Sequence, residues 1–152
     1  YGLMNMFDEV WIVDDAKIRL AGKLSEKVRA IKIPAHYIGL LSRFKNVNKE
    51  SIKTGKLVLV SGPEPYANQF YQTQKAKIEN KEESIIYKGR IENLAGSKDI
   101  SWKEIDEQLI GAKTIISRSG YSTLMDAYYL KCETEWHPTP GQLEQEYLAD
   151  MQ

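Results

Sequence analysis

A second cysteine is absent. The lone thiol, Cys132, excludes a disulfide within the chain and fits a reducing, cytoplasmic setting. Net charge is absent as well: 21 Lys and Arg offset 21 Asp and Glu. No overall basic field pulls nucleic acid or an anionic membrane onto such a surface, so no nucleic-acid partner is expected. No apolar run approaches the roughly 20 residues of a membrane-spanning helix. Histidine is scarce. His36 and His137 stand alone, no His, Cys, Asp and Glu cluster has zinc spacing, and no metal is expected. Cys132 lacks the partners of a nucleophilic triad and reads as inert. No signal peptide, internal repeat or low-complexity run is visible. The chain starts at Tyr1 and stops at Met151-Gln152 inside a helical pattern. It reads as a piece of a longer protein, so missing targeting signals say little.

What is present is an ordinary globular composition. Of 152 residues, 42% are apolar and 28% charged. That suffices for one domain with a core, or one domain plus a fragment of another. Val10 to Val13 is a short buried-strand pattern ending at Asp14-Asp15. Leu20 to Ser25 reads as a turn or short helix, and Ala35 to Leu41 as a second strand. Lys45 to Gly55 is polar and has a linker composition. A cleaner alternation follows. Lys56 to Val60 is a continuous apolar strand, Ser61 to Pro65 breaks it, and Tyr66 to Asn80 reads as a helix. Ser84 to Lys88 is the next strand, with Gly89-Arg90 at its end. Trp102, Ile105 and Leu109 share a helix face. Lys113 to Ser117 is a strand, Leu124 to Leu130 a helix, and Leu143, Tyr147, Leu148 and Met151 mark a last helix. Strands alternating with helices predict an α/β fold: a Rossmann-like parallel sheet with helices on both faces. Such sheets bind ligands beyond the carboxyl ends of their strands.

One of those ends carries the most information. Ile115-Ile116-Ser117-Arg118-Ser119-Gly120-Tyr121-Ser122-Thr123-Leu124-Met125-Asp126 runs from an apolar strand through a Ser/Gly turn into a helix. The first turn of a helix leaves backbone N–H groups unpaired, and with the macrodipole they make a ready anion site. Ser119, Ser122 and Thr123 add hydroxyls, and Gly120 lets backbone approach a ligand. Asp126 offers a carboxylate suited to a ribose diol. An anion cradle beside a sugar-reading carboxylate points to a nucleotide.

This run, followed by Pro138-Thr139-Pro140-Gly141-Gln142-Leu143-Glu144-Gln145-Glu146, resembles the C-terminal domain of GT-B nucleotide-sugar glycosyltransferases. The nearest group is family 28, which includes the undecaprenyl-muramyl-pentapeptide N-acetylglucosaminyltransferase. The resemblance covers the chain from Lys56 onward. Residues 1–44 look like a remnant of the N-terminal domain with the interdomain strand, 45–55 a linker, and 56–152 a truncated nucleotide-sugar-binding domain. The resemblance implies roles position by position. The Ser119-Gly120 turn, with Arg118, Ser122 and Thr123, would hold the diphosphate, and Gly62 would belong to a second phosphate loop. Asp126 would take the ribose hydroxyls and Trp102 would lie beside the base, usually uracil. Gln145, with Glu144 beside it, would read the sugar. The donor would be a UDP-sugar, with no further cofactor. The catalytic base would come from the protein's own N-terminal domain and act on an acceptor hydroxyl of unknown identity. Peripheral membrane association of a full-length protein at the cell envelope is also implied. Two departures stand out. Pro63 and Pro65 donate no N–H, so the Gly62 loop is a poor phosphate cradle. Lys131 to His137 carries two glutamates where the family has a buried apolar strand. That strand is therefore expected at a sheet edge, displaced, or altered.

Plainer readings compete. Thr123 and Asp126 have capping-box spacing. Arg118, at a strand end, suits a surface ion pair. Trp102 suits the core. Glu144 and Glu146 lie two apart on a helix and face different ways, which disfavours a catalytic pair. Two further functions remain open. A nucleotide-sugar hydrolase or epimerase of the same fold would release free or inverted sugar. A non-catalytic Rossmann-like docking module would show no heat with UDP.

Overall fold

The computed structural model describes residues 2–47, 53–78, 83–87, 90–93, 96–99 and 101–152. The chain opens with a 3-10 turn at Met4–Met6, then β1 (Val10–Ile12), a second 3-10 turn at Gly22–Ser25 and β2 (Ala35–Tyr37). A larger body follows: β3 (Thr54–Val60), α1 (Tyr66–Lys75), β4 (Glu83–Tyr87), β5 (Arg90–Asn93) and β6 (Gly96–Asp99). It continues through α2 (Trp102–Gly111), β7 (Ala112–Ser117), α3 (Tyr121–Leu130), β8 (Glu133–Trp136) and α4 (Leu143–Met151).

The fold is α/β and Rossmann-like. The main sheet has the order β6-β5-β4-β3-β7-β8. Its parallel part is β4-β3-β7-β8, and β5 and β6 add an antiparallel extension. Sequence reading foresaw the parallel strands and not this extension. Arg90, expected to end a strand, begins β5 instead. The chain leaves β3 toward β4 on one side and later adds β7 on the other. That reversal is the topological switch point where open α/β sheets hold ligands.

Side-chain alternation sorts the core into two layers. Leu57, Ile86 and Ile115 point to one face and meet Ile105 and Leu109 of α2, with Leu130 and Phe44. Val58, Val60, Ile85 and Ile116 point to the other and meet Ala67, Phe70 and Tyr71 of α1. Successive residues thus go to opposite faces, so β3 must be apolar without interruption, as it is. β3 starts at Thr54, two residues before the expected start at Lys56. The expected linker includes residues 48–52, which lie outside the described residues, as do Asn80, Lys88 and Gly89. α1 ends at Lys75, earlier than the expected Asn80.

The glutamate-bearing strand takes the first of its three expected alternatives. β8 is the terminal strand of the sheet, beside β7 alone. Glu133, Thr134 and Glu135 are exposed there. Glu133 accepts a hydrogen bond from Thr114 (3.0 Å) and Glu135 lies 2.6 Å from His137. Carboxylates along an edge also discourage pairing with another chain.

The front segment and the main body share a third core cluster. Leu20, Ala21 and Leu40 pack with Leu124 and Met125 of α3 and Leu148 of α4. Gly22 lies against α4. It has φ +53°, and a Cβ there would lie 2.5 Å from Met151 Sδ and Tyr147 Oη. A side chain there would have to displace Met151 and Tyr147 and hold a left-handed backbone, which glycine does without strain. The Lys23 N–H then donates to the Tyr147 hydroxyl at 2.9 Å. Behind this contact Asp14 is fully buried. Its carboxylate accepts from the N–H of Asp15 (2.8 Å), Leu20 (3.0 Å) and Ala21 (3.0 Å) and from the Ser25 hydroxyl (2.6 Å). Burial alone would raise the Asp14 pKa. The four donors, Ser25 foremost, outweigh burial and hold it below the ordinary carboxylate value. Burial, and then the Asp14 carboxylate, push the Tyr121 phenol well above its ordinary value.

Candidate functional site

The helices of the main body start differently, and the difference locates the site. α2 begins with a complete capping box: Ser101 Oγ accepts from the Glu104 N–H (3.3 Å) and Glu104 accepts from the Ser101 N–H (2.9 Å). This Ser-x-x-Glu signature was readable in the sequence and was missed. At α1 the Glu64 carboxylate accepts from the Asn68 N–H at 3.2 Å. The loop after β3 thus brings its own anion to the helix start. Gly62 is exposed there with φ +107°. Pro63 and Pro65 beside it donate no N–H.

α3 begins without any side-chain cap. Its N-cap is Gly120, and the first turn holds no acidic residue. A Cβ at Gly120 would meet nothing within 4 Å. The capping box expected from Thr123 and Asp126 does not form. The helix starts at Tyr121, so Thr123 is its third residue and Asp126 its sixth, too far in to reach the N-cap.

Asp126 instead faces the front segment. Its Oδ1 accepts from the Ser42 hydroxyl at 2.6 Å, and its Oδ2 accepts from Arg43 Nη1 at 2.9 Å. Arg43 Nε also donates to Asp106 of α2 at 2.7 Å. Ser42, Arg43, Lys45, Ser122 and Asp126 line an open cleft of about 490 Å³. Ile38, Leu40 and Leu41 supply its apolar wall. One cleft therefore combines two cations, two hydroxyls, one carboxylate and an apolar surface. Small-molecule sites have this make-up: apolar lining with a few placed polar groups.

Of the sequence-predicted residues Ser122 and Asp126 line this cleft, and the others do not. Ser119 is fully buried, and its hydroxyl donates to the Gln145 carbonyl at 2.7 Å. The fold thus brings the Ser/Gly turn and the Gln-rich helix start together. The Gln145 side chain accepts from the Thr139 N–H at 2.9 Å and donates to Gln142, which shapes the loop before α4. Glu144 is exposed. Arg118 forms neither a surface ion pair nor an exposed donor group. It is buried over the Phe70 ring, 4.6 Å from its centroid. Its guanidinium donates to the carbonyls of His137 (3.2 Å), Pro138 (2.8 Å) and Tyr66 (3.0 Å). Burial lowers its pKa, and its work is to clamp α1 to the loop after β8. Trp102 overturns the core expectation. It is 78% exposed, because the packed part of α2 begins one turn later at Ile105. Cys132 is half-buried and burial raises its thiol pKa, as suits an unreactive cysteine.

Arg43 and Lys45 are the functional candidates that sequence reasoning overlooked. Among the described residues no group of three or more His, Cys, Asp or Glu side chains could hold a metal, and no helix is long and apolar enough to cross a membrane. No family model, curated protein or solved structure matches this chain.

Proposed function

We propose that this chain is the donor-binding half of a GT-B glycosyltransferase, which takes a nucleoside-diphosphate sugar, a UDP-sugar in particular. One observation carries the reading: the cleft where Asp126, Ser122, Arg43 and Lys45 meet an apolar wall beside the uncapped start of α3. The apolar wall suits a base, Asp126 a ribose diol, and the N–H groups of α3 a diphosphate. The same N–H groups would stabilise charge on the departing diphosphate, with Lys45 adding positive field. The base that activates an acceptor hydroxyl would come from the N-terminal domain. Leu3, Met6, Phe7 and Trp11 are exposed apolar side chains of the front segment, and such a surface suits contact with that domain. The site of action would be the cytoplasm, where the lone thiol stays reduced.

Titration with UDP tests this directly. The amides of Gly120 to Thr123 should shift first in NMR, and calorimetry should detect heat. Shifts confined to other residues, or none at millimolar UDP, would sink the nucleotide reading and leave a docking module.

A further inference from the structure

We propose that Ser42 and Arg43 are positioning residues that hold Asp126 as a two-point acceptor for a vicinal diol, so that the cleft selects ribonucleotides over deoxyribonucleotides. This rests on the nucleotide reading above and goes beyond it by naming how selectivity is built. A carboxylate has about four lone-pair positions on its two oxygens. Ser42 takes one position on Oδ1 and Arg43 one on Oδ2. Each oxygen keeps an acceptor position, and Asp126 lines the cleft. Two acceptors on one fixed carboxylate match the two hydroxyls of a ribose.

The fixing is built from the core outward. Phe44 is almost fully buried in the main core. Its N–H donates to the Ser42 hydroxyl at 3.1 Å, which orients that hydroxyl toward Asp126. The Arg43 guanidinium lies 4.5 Å from the Phe44 ring centroid and spans two carboxylates, Asp106 on α2 and Asp126 on α3. Two separate nitrogens of one rigid fork, Nε and Nη1, meet the two carboxylates, a geometry that the single nitrogen of lysine does not reproduce. Leu41 adds a tether through its N–H, 3.3 Å from Met125 Sδ. A carboxylate held this way loses little freedom on binding, and such preorganisation favours the ligand that fits it.

The test compares UDP with 2′-deoxy-UDP, which lacks one hydroxyl of the diol. The wild-type chain should prefer UDP by roughly tenfold or more, the worth of a hydrogen bond to a charged group. Ser42→Ala, Arg43→Met and Arg43→Lys should each reduce that preference to about threefold or less, mostly by weakening UDP. Thermal melts of all three variants check that they fold. Equal losses for both nucleotides would mean that Arg43 acts on the phosphates, and would overturn the positioning role. Full retention of the preference by Arg43→Lys would overturn the fork argument. Wild-type binding of both nucleotides with equal affinity would overturn diol selection while leaving nucleotide binding intact. No UDP binding by the wild type would sink the functional reading and this proposal with it.

Discussion

Two aspartates bind the front segment to itself and to the main body, and they do so in opposite ways. Asp14 is fully enclosed and accepts from three backbone N–H groups and one hydroxyl. Backbone donors at that site cannot leave without unwinding the loop from Asp15 to Ser25. Asp126 is partly exposed and, among the described residues, accepts from two side chains, Ser42 and Arg43. Side chains can turn, and an open cleft adjoins them. The first carboxylate is saturated and belongs to the fold. The second keeps free acceptor positions where a ligand can enter. Burial and donor type separate the roles of two residues that look alike in sequence.

Breaking Asp14 should give the largest effect. Asp14→Ala strands the buried N–H groups of Leu20 and Ala21, each costing ~1–3 kcal/mol when left unsatisfied, and also frees the part-buried Asp15 N–H and the Ser25 hydroxyl, which can turn to the Gly22 carbonyl at 3.1 Å. A net loss of roughly 3–5 kcal/mol is expected, or a drop of about 6–20 °C in melting temperature for a chain of this size. UDP affinity of the remaining folded protein should change little. The pH response sharpens the same point. The folded pKa of Asp14 lies below its unfolded value. Its contribution is therefore fully present above the unfolded value, about 3.9. It is lost as pH falls through that value toward the folded pKa. Urea midpoints measured from neutral pH down to about 3 should fall more steeply for wild type than for Asp14→Asn. Parallel curves would remove Asp14 from the acid response.

Asp126→Asn should do the reverse. Its partner Arg43 is nearly half exposed, so the lost ion pair costs only ~0.2–1 kcal/mol of stability. The charged acceptor for the diol disappears, and UDP affinity should fall roughly ten- to a hundredfold. Calorimetry with UDP and a thermal melt on this one variant decide the matter. A lowered melting point with unchanged affinity would make Asp126 a purely structural partner of Arg43.

The sequence was informative where the physics is local. β3 reads as a strand because four consecutive apolar residues, Leu57 to Val60, must serve two buried faces. β8 betrayed its edge position through Glu133 and Glu135, which a central strand would not tolerate. The Ser/Gly turn before α3 was visible because strand, turn and helix are contiguous. Other features were hidden for equally definite reasons. β5 has one apolar residue, Ile91, and β6 has none, so no hydrophobic pattern announced them. The Arg43 clamp joins residues 63 and 83 positions apart, a distance that no spacing rule reaches. Thr123 and Asp126 imitated a capping box because the helix begins at Tyr121, earlier than its apolar pattern suggests. Trp102 has the right spacing to share a face with Ile105 and Leu109, but the core stops short of it.

The far end of α3 offers a smaller, separable change. Lys131 ends the helix in the left-handed region, with φ +53°. Glycine occupies that conformation without the strain of a Cβ, though it also loosens the unfolded chain. Lys131→Gly should stabilise by about 0.5–1 kcal/mol, a rise of roughly 1–4 °C in melting temperature. UDP affinity should stay the same, because the cleft lies at the other end of the helix. An altered affinity would show that the cleft responds to the helix as a whole, and would blur the contrast with Asp14.

Trp102 should give the smallest effect and the finest distinction. It is exposed at the start of α2, so Trp102→Ala should change stability by no more than about 0.5 kcal/mol. Yet it sits one turn before Asp106, on the same helix face, and Asp106 holds Arg43 at the cleft. Were a base bound in the cleft to reach this turn of α2, the exposed indole would stack on it. Such stacking at an exposed site is worth about 1 kcal/mol, so UDP affinity should fall roughly fivefold. Uridine diphosphate and adenosine diphosphate should lose similar factors, because every base presents a π-face. A loss with one base alone would mean that Trp102 reads an edge rather than a face. No loss with either would confine the site to the wall formed by Ile38, Leu40 and Leu41, and leave Trp102 to the surface.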